Sequence, residues 1–209
     1  MNVTSANVAD MAEQWPVVSS AELLRSRLIT VRADKVRMPD NQLAEREVVL
    51  HPAAVAVLAL DDADRILLIR QYRHPVAHLL WEIPAGLRDV AGEEPLATAR
   101  RELVEEAGYR ARDWRVLADY YSSPGYSTER LRIFLARDLE LVPEAERDFV
   151  PEYEEAFLLL GWLPLDEAVR KVFVGDLHNG IAALGILAAY AARSEGFDRL
   201  RPADAPEEQ

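Results

Sequence analysis

Between Gly86 and Tyr109 the chain carries a pattern that few conformations satisfy. Leu96, Ala99, Leu103 and Ala107 recur at helical spacing, Pro95 suits a first turn, and Gly108 stands where a C-cap belongs. The spacing therefore predicts a helix from about Pro95 to Ala107 with one apolar face. On that helix Glu102, Glu105 and Glu106 stand at i, i+3 and i+4, so three carboxylates project from a single face. Such a cluster repels itself, and a bound divalent cation would resolve the conflict. Carboxylate oxygens are hard ligands; with no histidine or cysteine beside them they favour magnesium, or manganese, over zinc. Magnesium also keeps several waters and takes phosphate oxygens, which suits a pyrophosphate substrate. Arg101, four residues before Glu105, is placed to orient or neutralise the group. The competing reading is a solvated acidic helix face, the usual fate of a glutamate run.

Around this segment the residues read as strands and helices. Before His51 come short strands broken by turns: Arg27 to Val36, the turn Met38-Pro39-Asp40-Asn41, then Glu45 to Leu50. An apolar run from Ala53 to Leu60, the polar turn Asp61-Asp62-Ala63-Asp64 and Ile66 to Arg70 suggest a hairpin. Trp114 to Tyr121 and Leu131 to Ala136 read as strands flanking a loop, and 139–155 is acidic and irregular. Ala156 to Leu163 reads as a buried strand, followed by helices at about Leu165 to Val172 and Asn179 to Ser194. From Pro202 onward an acidic tail is expected to fray. These segments divide the 209 residues into an amino-terminal β unit of 1–50, a main domain of 51–200 and a tail of 201–209.

The segment from Gly86 resembles the Nudix box: a glycine, a glutamate some residues on, then Arg101-Glu102-Leu103-Val104-Glu105-Glu106-Ala107-Gly108-Tyr109. The second half matches at every defined position, with tyrosine where an aliphatic residue is commoner. The first half departs, because six residues, Leu87 to Gly92, separate Gly86 from Glu93 where the family usually has five. An extra residue in a loop can bulge outward without moving the helix. Trp81-Glu82-Ile83-Pro84-Ala85-Gly86 is similar to the strand that leads into the box in ADP-ribose pyrophosphatases, and Pro124, fifteen residues past Tyr109, to the proline that marks that branch. Ser-Pro-Gly is also ordinary turn chemistry.

The resemblance implies an α/β (α+β) Nudix fold, a mixed β-sheet sandwiched between helices, preceded by a small antiparallel β domain. It implies a metal site from the Ala85 carbonyl, Glu102 and Glu106, with Glu105 and Glu93 assisting. A catalytic base would come from Glu155, with Glu154 the alternate and Glu105 a further candidate; Glu152 lies in the same acidic loop. Substrate contacts fall on Arg73 as a clamp on the diphosphate or the adenine, on Gly86, Pro124 and Gly125, on Glu129 toward the ribose, and on Arg46 and Glu47 toward adenosine. The implied reaction is magnesium-dependent hydrolysis of ADP-ribose to AMP and ribose 5-phosphate, by a homodimer whose amino-terminal units complete the adenosine pocket. Two rivals stand beside it: a Nudix hydrolase for another nucleotide sugar or a dinucleoside polyphosphate, and a catalytically silent nucleotide-binding module.

Composition narrows the remaining choices. A net charge of −12 speaks against general binding to nucleic acid or anionic membrane. The absence of cysteine excludes thiolate ligands and cysteine nucleophiles. No signal-peptide pattern opens the chain, and the longest apolar stretch, Ile181 to Ala192, is too short to span a bilayer, so a cytoplasmic protein is expected. His51, His74, His78 and His178 show no ligand or triad spacing, although His74 could lie near the pocket. Trp15 and Tyr72 are candidates for stacking on adenine or for plain packing.

Overall fold

The computed structural model describes residues 8–147 and 157–207, and in it the chain divides into two compact units. One comprises residues 1–51 with 123–128 and 207–209; the other comprises 52–122 and 129–206.

The smaller unit is an antiparallel sheet of β1 (Val17–Arg25), β2 (Thr30–Arg37) and β3 (Leu43–Leu50), in that order. The Met38–Asn41 turn forms as its residues predict, with Asn41 in the left-handed region at φ 66° and the Met38 N–H bonded to Gln42 O. β1 was not legible as a strand, since Val17-Val18-Ser19-Ser20-Ala21-Glu22-Leu23-Leu24-Arg25 shows no alternation; all nine residues are exposed, and ladder pairing to β2 holds it. Residues 123–128 join this unit through Val49, whose N–H reaches Tyr126 O at 2.7 Å and whose carbonyl accepts the Thr128 N–H at 3.0 Å. Among its described residues no apolar side chain is buried.

The larger unit contains β4 (Ala54–Ala59), β5 (Arg65–Arg73), β6 (His78–Glu82), β7 (Ala85–Leu87), α1 (Pro95–Ala107), β8 (Tyr109–Tyr121), β9 (Arg130–Leu141), β10 (Leu159–Pro164), α2 (Leu165–Phe173), α3 (Gly180–Arg193) and β11 (Arg201–Pro202). A five-stranded sheet runs β11-β8-β9-β4-β7, parallel between β4 and β9 and antiparallel elsewhere. A second sheet runs β10-β5-β6. The hairpin expected from Ala53 to Arg70 forms only its turn: β4 and β5 touch at a single bridge, Leu60 to Ile66, and enter different sheets. The physical reason is in β4 itself, whose six residues are all buried. A strand apolar on both faces belongs at a sheet centre with cover on each side.

That cover comes from the helices. Ala56 and Leu58 face a cluster with Leu165, Ala168, Ala182, Ile186 and Ala189 of α2 and α3. Val55, Val57 and Ala59 face the opposite cluster, with Ala99, Leu103 and Ala107 of α1. The fold is the mixed sheet between helices that the resemblance implied. β9 continues to Leu141, into the stretch read as irregular; Glu140 there pairs across the ladder with Arg112 at 2.8 Å.

The tail is docked through Ala205, contrary to the expected fraying. β11 pairs with β8, and the guanidinium of Arg132, itself 2% exposed, donates to the carbonyls of Ala205 at 2.6 Å and Pro206 at 3.2 Å. The same guanidinium grips Asp119 through Nε at 2.7 Å and Nη2 at 2.9 Å, and Arg201 adds a second cation at 2.9 Å. Burial pushes the Asp119 carboxyl up, but Arg132 and Arg201 pull it down further, so its folded pKa lies below the ordinary value. That stabilisation is present above the unfolded pKa of about 4 and is lost as the pH falls through the lower folded value. Asp119→Asn is therefore expected to cost on the order of 2 kcal/mol at pH 7, because Arg132 keeps its carbonyl partners. Melting curves at several pH values check this: the gap to wild type should begin to close near the unfolded pKa of about 4 and go on closing as the pH falls through the lower folded value.

Candidate active site

α1 is fixed by its buried face, by Pro95 in the first turn, and by Gly108 at φ 72°, whose N–H bonds back to Leu103 and Val104. That anchoring leaves Glu102, Glu105 and Glu106 half-buried on its flank, facing β7 at two points. The Glu106 carboxylate accepts the Ala85 N–H at 2.8 Å. Glu102 lies against Gly86 so closely that a Cβ there would stand 2.0 Å from Oε1 and 2.6 Å from Cγ. Gly86 therefore serves as the gap into which the Glu102 side chain fits. The lengthened loop is accommodated outward: residues 89–92 are exposed, Glu93 N–H closes a turn on Val90 O, and Gly92 takes φ 80°.

Arg101 gathers the acidic groups. Its Nη1 sits 2.8 Å from Glu102 and 2.9 Å from Glu105, and its Nη2 lies 3.4 Å from Glu93. Burial opposes the charge on Arg101, yet Glu102, Glu93 and Glu105 together raise its pKa above the ordinary guanidinium value. Glu93 is held below the usual carboxylate range, first by the hydrogen bond from Thr98 Oγ1 at 2.8 Å, against burial, and further by Arg101. Among the described residues no three acidic or histidine side chains converge tightly enough to cage a metal by themselves. The donor chemistry nonetheless fits a hard divalent cation. Glu102 and Glu106 flank Ala85 and Gly86, the missing side chain of Gly86 lets the Glu102 carboxylate lie against the β7 backbone, and such ions complete their shell with water and phosphate oxygens.

The structure thus brings Ala85, Gly86, Glu93, Arg101, Glu102, Glu105 and Glu106 into one cluster. Arg73, at the end of β5, is committed to a partner that sequence reading missed: Glu82 on β6, at 2.9 Å from Nε and 2.6 Å from Nη2. Glu82 was marked in the sequence as a lone acid inside the apolar stretch Leu79 to Ile83 and by its place in the Trp81-to-Gly86 segment, and neither signal points to Arg73. Glu129 precedes β9 and accepts the Ser122 hydroxyl, and together with burial its charge pushes the Tyr120 hydroxyl up to about 12. Pro124 and Gly125 form an exposed turn of the smaller unit, closed by Tyr126 and Ser127 N–H on Ser123 O. Arg46 and Glu47 lie exposed on β3 of that unit; as strand neighbours they project to opposite faces, and Arg46 donates to Glu45 O. Tyr72 is 40% exposed beside His74, with ring centres 6.1 Å apart, and Trp15 donates to Glu13. Glu152, Glu154 and Glu155 lie outside the described residues.

Residues 50–183 match the family model of the NUDIX domain, and residues 15–49 match that of the nucleoside diphosphate sugar hydrolase N-terminal domain. The chain is 45% identical over 197 residues to an ADP-ribose pyrophosphatase of Mycobacterium tuberculosis, covering 93% of this chain and 92% of that one. It is 34% identical over 170 residues to an ADP-ribose pyrophosphatase of Bacillus subtilis, covering 81% and 89%. Among solved structures, a crystal structure of an ADP compounds hydrolase superposes with a TM-score of 0.71 at 25% identity, over 90% of this chain and 99% of that one.

Proposed function

The chain belongs to the Nudix hydrolase family, and on that premise we propose that it hydrolyses ADP-ribose to AMP and ribose 5-phosphate. Hydrolases of this family use a divalent metal, and magnesium is our assignment here, with manganese able to replace it. The observation that carries the proposal is the cluster on α1 and β7: intact Glu102, Glu105 and Glu106 set against Ala85 and Gly86, in a chain with 45% identity to an ADP-ribose pyrophosphatase. A silent nucleotide-binding module would have no need of three crowded carboxylates.

Glu102, Glu106 and the Ala85 carbonyl would hold the metal with Glu105 and Glu93 assisting, and Arg101, paired with Glu93, Glu102 and Glu105, would orient the carboxylates. A bound divalent cation supplies charge neutralisation on the pyrophosphate and a more acidic water. Glu155, or Glu154 in its place, takes the proton of the attacking water; Glu105 is the remaining candidate base. Water oxygen bonds to one phosphorus as the bridging P–O bond breaks, and the departing phosphate oxygen leaves on the other product. Arg73 grips the diphosphate, Gly86, Pro124 and Gly125 contact the substrate, Glu129 serves the ribose end, and Arg46 and Glu47 serve the adenosine. The reading places the enzyme in the cytoplasm; among the described residues no helix is long and apolar enough to cross a membrane. Its test is kcat/KM for ADP-ribose beside other ADP-sugars, GDP-sugars and dinucleoside polyphosphates. Preference for another member would keep the chemistry and discard the substrate.

A homodimer belongs to the same proposal. A three-stranded sheet needs a covered face to be stable, and Val17, Val18, Leu23 and Leu24 of β1 are 46–60% exposed. Light scattering behind size exclusion should give twice the 23.5 kDa chain mass, and Leu24→Asp should shift it toward one chain mass. A fully active monomer would overturn the assignment.

A further inference from the structure

Glu82 is an expensive residue in its position. Its side chain is 3% exposed, whereas the Arg73 side chain that it grips is 46% exposed. The register sets Ile69 opposite Glu82 and Arg73 opposite His78, so Leu67, Ile69, Arg73 and Glu82 share one face of the β10-β5-β6 sheet. On that face Leu67 packs in the same cluster as Ala99 and Leu103 of α1. Arg73 and Glu82 therefore lie on the side of the sheet where the carboxylate helix packs, and only Ile83 and Pro84 separate Glu82 from Ala85, whose N–H Glu106 accepts. Stability does not explain the pair, because a buried ion pair replaced by apolar side chains is often no less stable.

Orientation does explain it. A guanidinium carries five N–H donors in a rigid plane, and Glu82 takes one on Nε and one on Nη2. A side chain anchored along one edge cannot swing its plane, so the donors that Glu82 does not take keep a fixed direction. Phosphate is recognised by paired donors in one plane, and a pre-set plane spares the ordering that a free arginine would undergo on binding. The Glu82 charge offsets that of Arg73, so the carboxylate contributes geometry at the expense of net attraction.

We propose that Glu82 is a positioning residue: its buried carboxylate sets the plane of the Arg73 guanidinium to receive the substrate diphosphate. The inference rests on the diphosphate hydrolase reading above, and a binding measurement separates the two. ADP binding without metal is measured by calorimetry for wild type, Glu82→Gln, Arg73→Ala and the double variant, with KM and kcat for ADP-ribose and a melting temperature for each. Glu82→Gln should weaken ADP binding and raise KM by about tenfold, with kcat changed far less. In the Arg73→Ala background it should add nothing further. Arg73→Lys should not restore binding, since a point charge has no plane. Wild-type ADP affinity in Glu82→Gln, or an equal loss with and without Arg73, would overturn the proposal. Should Glu82→Gln unfold, Glu82→Asp, which keeps the charge and shortens the reach, carries the same cycle. If wild type leaves ADP-ribose intact while the ADP-binding cycle still couples, the substrate assignment falls and the positioning role stands.

Discussion

Glu106→Gln is expected to lower turnover of ADP-ribose by roughly a thousandfold or more at saturating magnesium, without lowering the melting temperature. The amide keeps the shape of the side chain, and its oxygen can still accept the Ala85 N–H that Glu106 accepts at 2.8 Å. Only the charge disappears, and it disappears from a helix face that already holds Glu102 and Glu105. Removing one of three like charges relieves repulsion, so the fold loses nothing. The carboxylate is what a divalent cation requires, and an amide oxygen is a poor replacement where a phosphate also has to be neutralised. Steady-state kinetics with a parallel melting curve check both halves of the expectation. Turnover within about tenfold of wild type would move the metal site away from Glu106.

Gly86→Ala should cost about a hundredfold in turnover with a melting temperature within roughly 2 °C of wild type. The added methyl would stand 2.0 Å from Glu102 Oε1 and 2.1 Å from its carboxyl carbon, distances that no real contact tolerates. Glu102 Cγ would also stand only 2.6 Å away, so relief requires the whole Glu102 side chain to turn about Cα–Cβ, which carries the carboxylate out of its place while the helix backbone stays. The consequence falls on the chemistry, because displacing a ligand by an ångström is enough to lose about two orders of magnitude. A large loss of stability with activity preserved would mean that the gap beside Gly86 serves packing alone. Arg101, which touches Glu102 at 2.8 Å, follows the displaced carboxylate, so loss of magnesium affinity should accompany loss of turnover.

What could be read from the sequence was what local chemistry determines. α1 announced itself through the period of Leu96, Ala99, Leu103 and Ala107 and through Pro95 and Gly108, and its three carboxylates came with it. β4 was legible because burial on both faces demands a continuous apolar run. Pairing was not legible, since the same run is compatible with any partner; β4 takes β9 and β7 instead of the neighbouring β5. β1 is exposed along its whole length, so no hydrophobic pattern marks it. The Arg73–Glu82 fork spans nine residues across an antiparallel pair, and the docking of the tail depends on Arg132, 73 residues before Ala205; neither leaves a local signature. Within the candidate site, the sequence placed the box residues together because one helix, one short strand and the loop joining them carry them. The residues given to the substrate are spread over both units, Arg46, Glu47, Pro124 and Gly125 on one and Arg73 and Glu129 on the other, and spacing along a chain says nothing about such distances.

The most direct test of the account is to incubate the full chain with ADP-ribose and magnesium and to quantify AMP and ribose 5-phosphate, with a chelated control. The account expects the two products in equal amounts, catalytic turnover, and its abolition by chelation. Tight binding of ADP-ribose with the nucleotide recovered intact would contradict it, and would make this Nudix chain a binding module whose carboxylates serve some end other than hydrolysis.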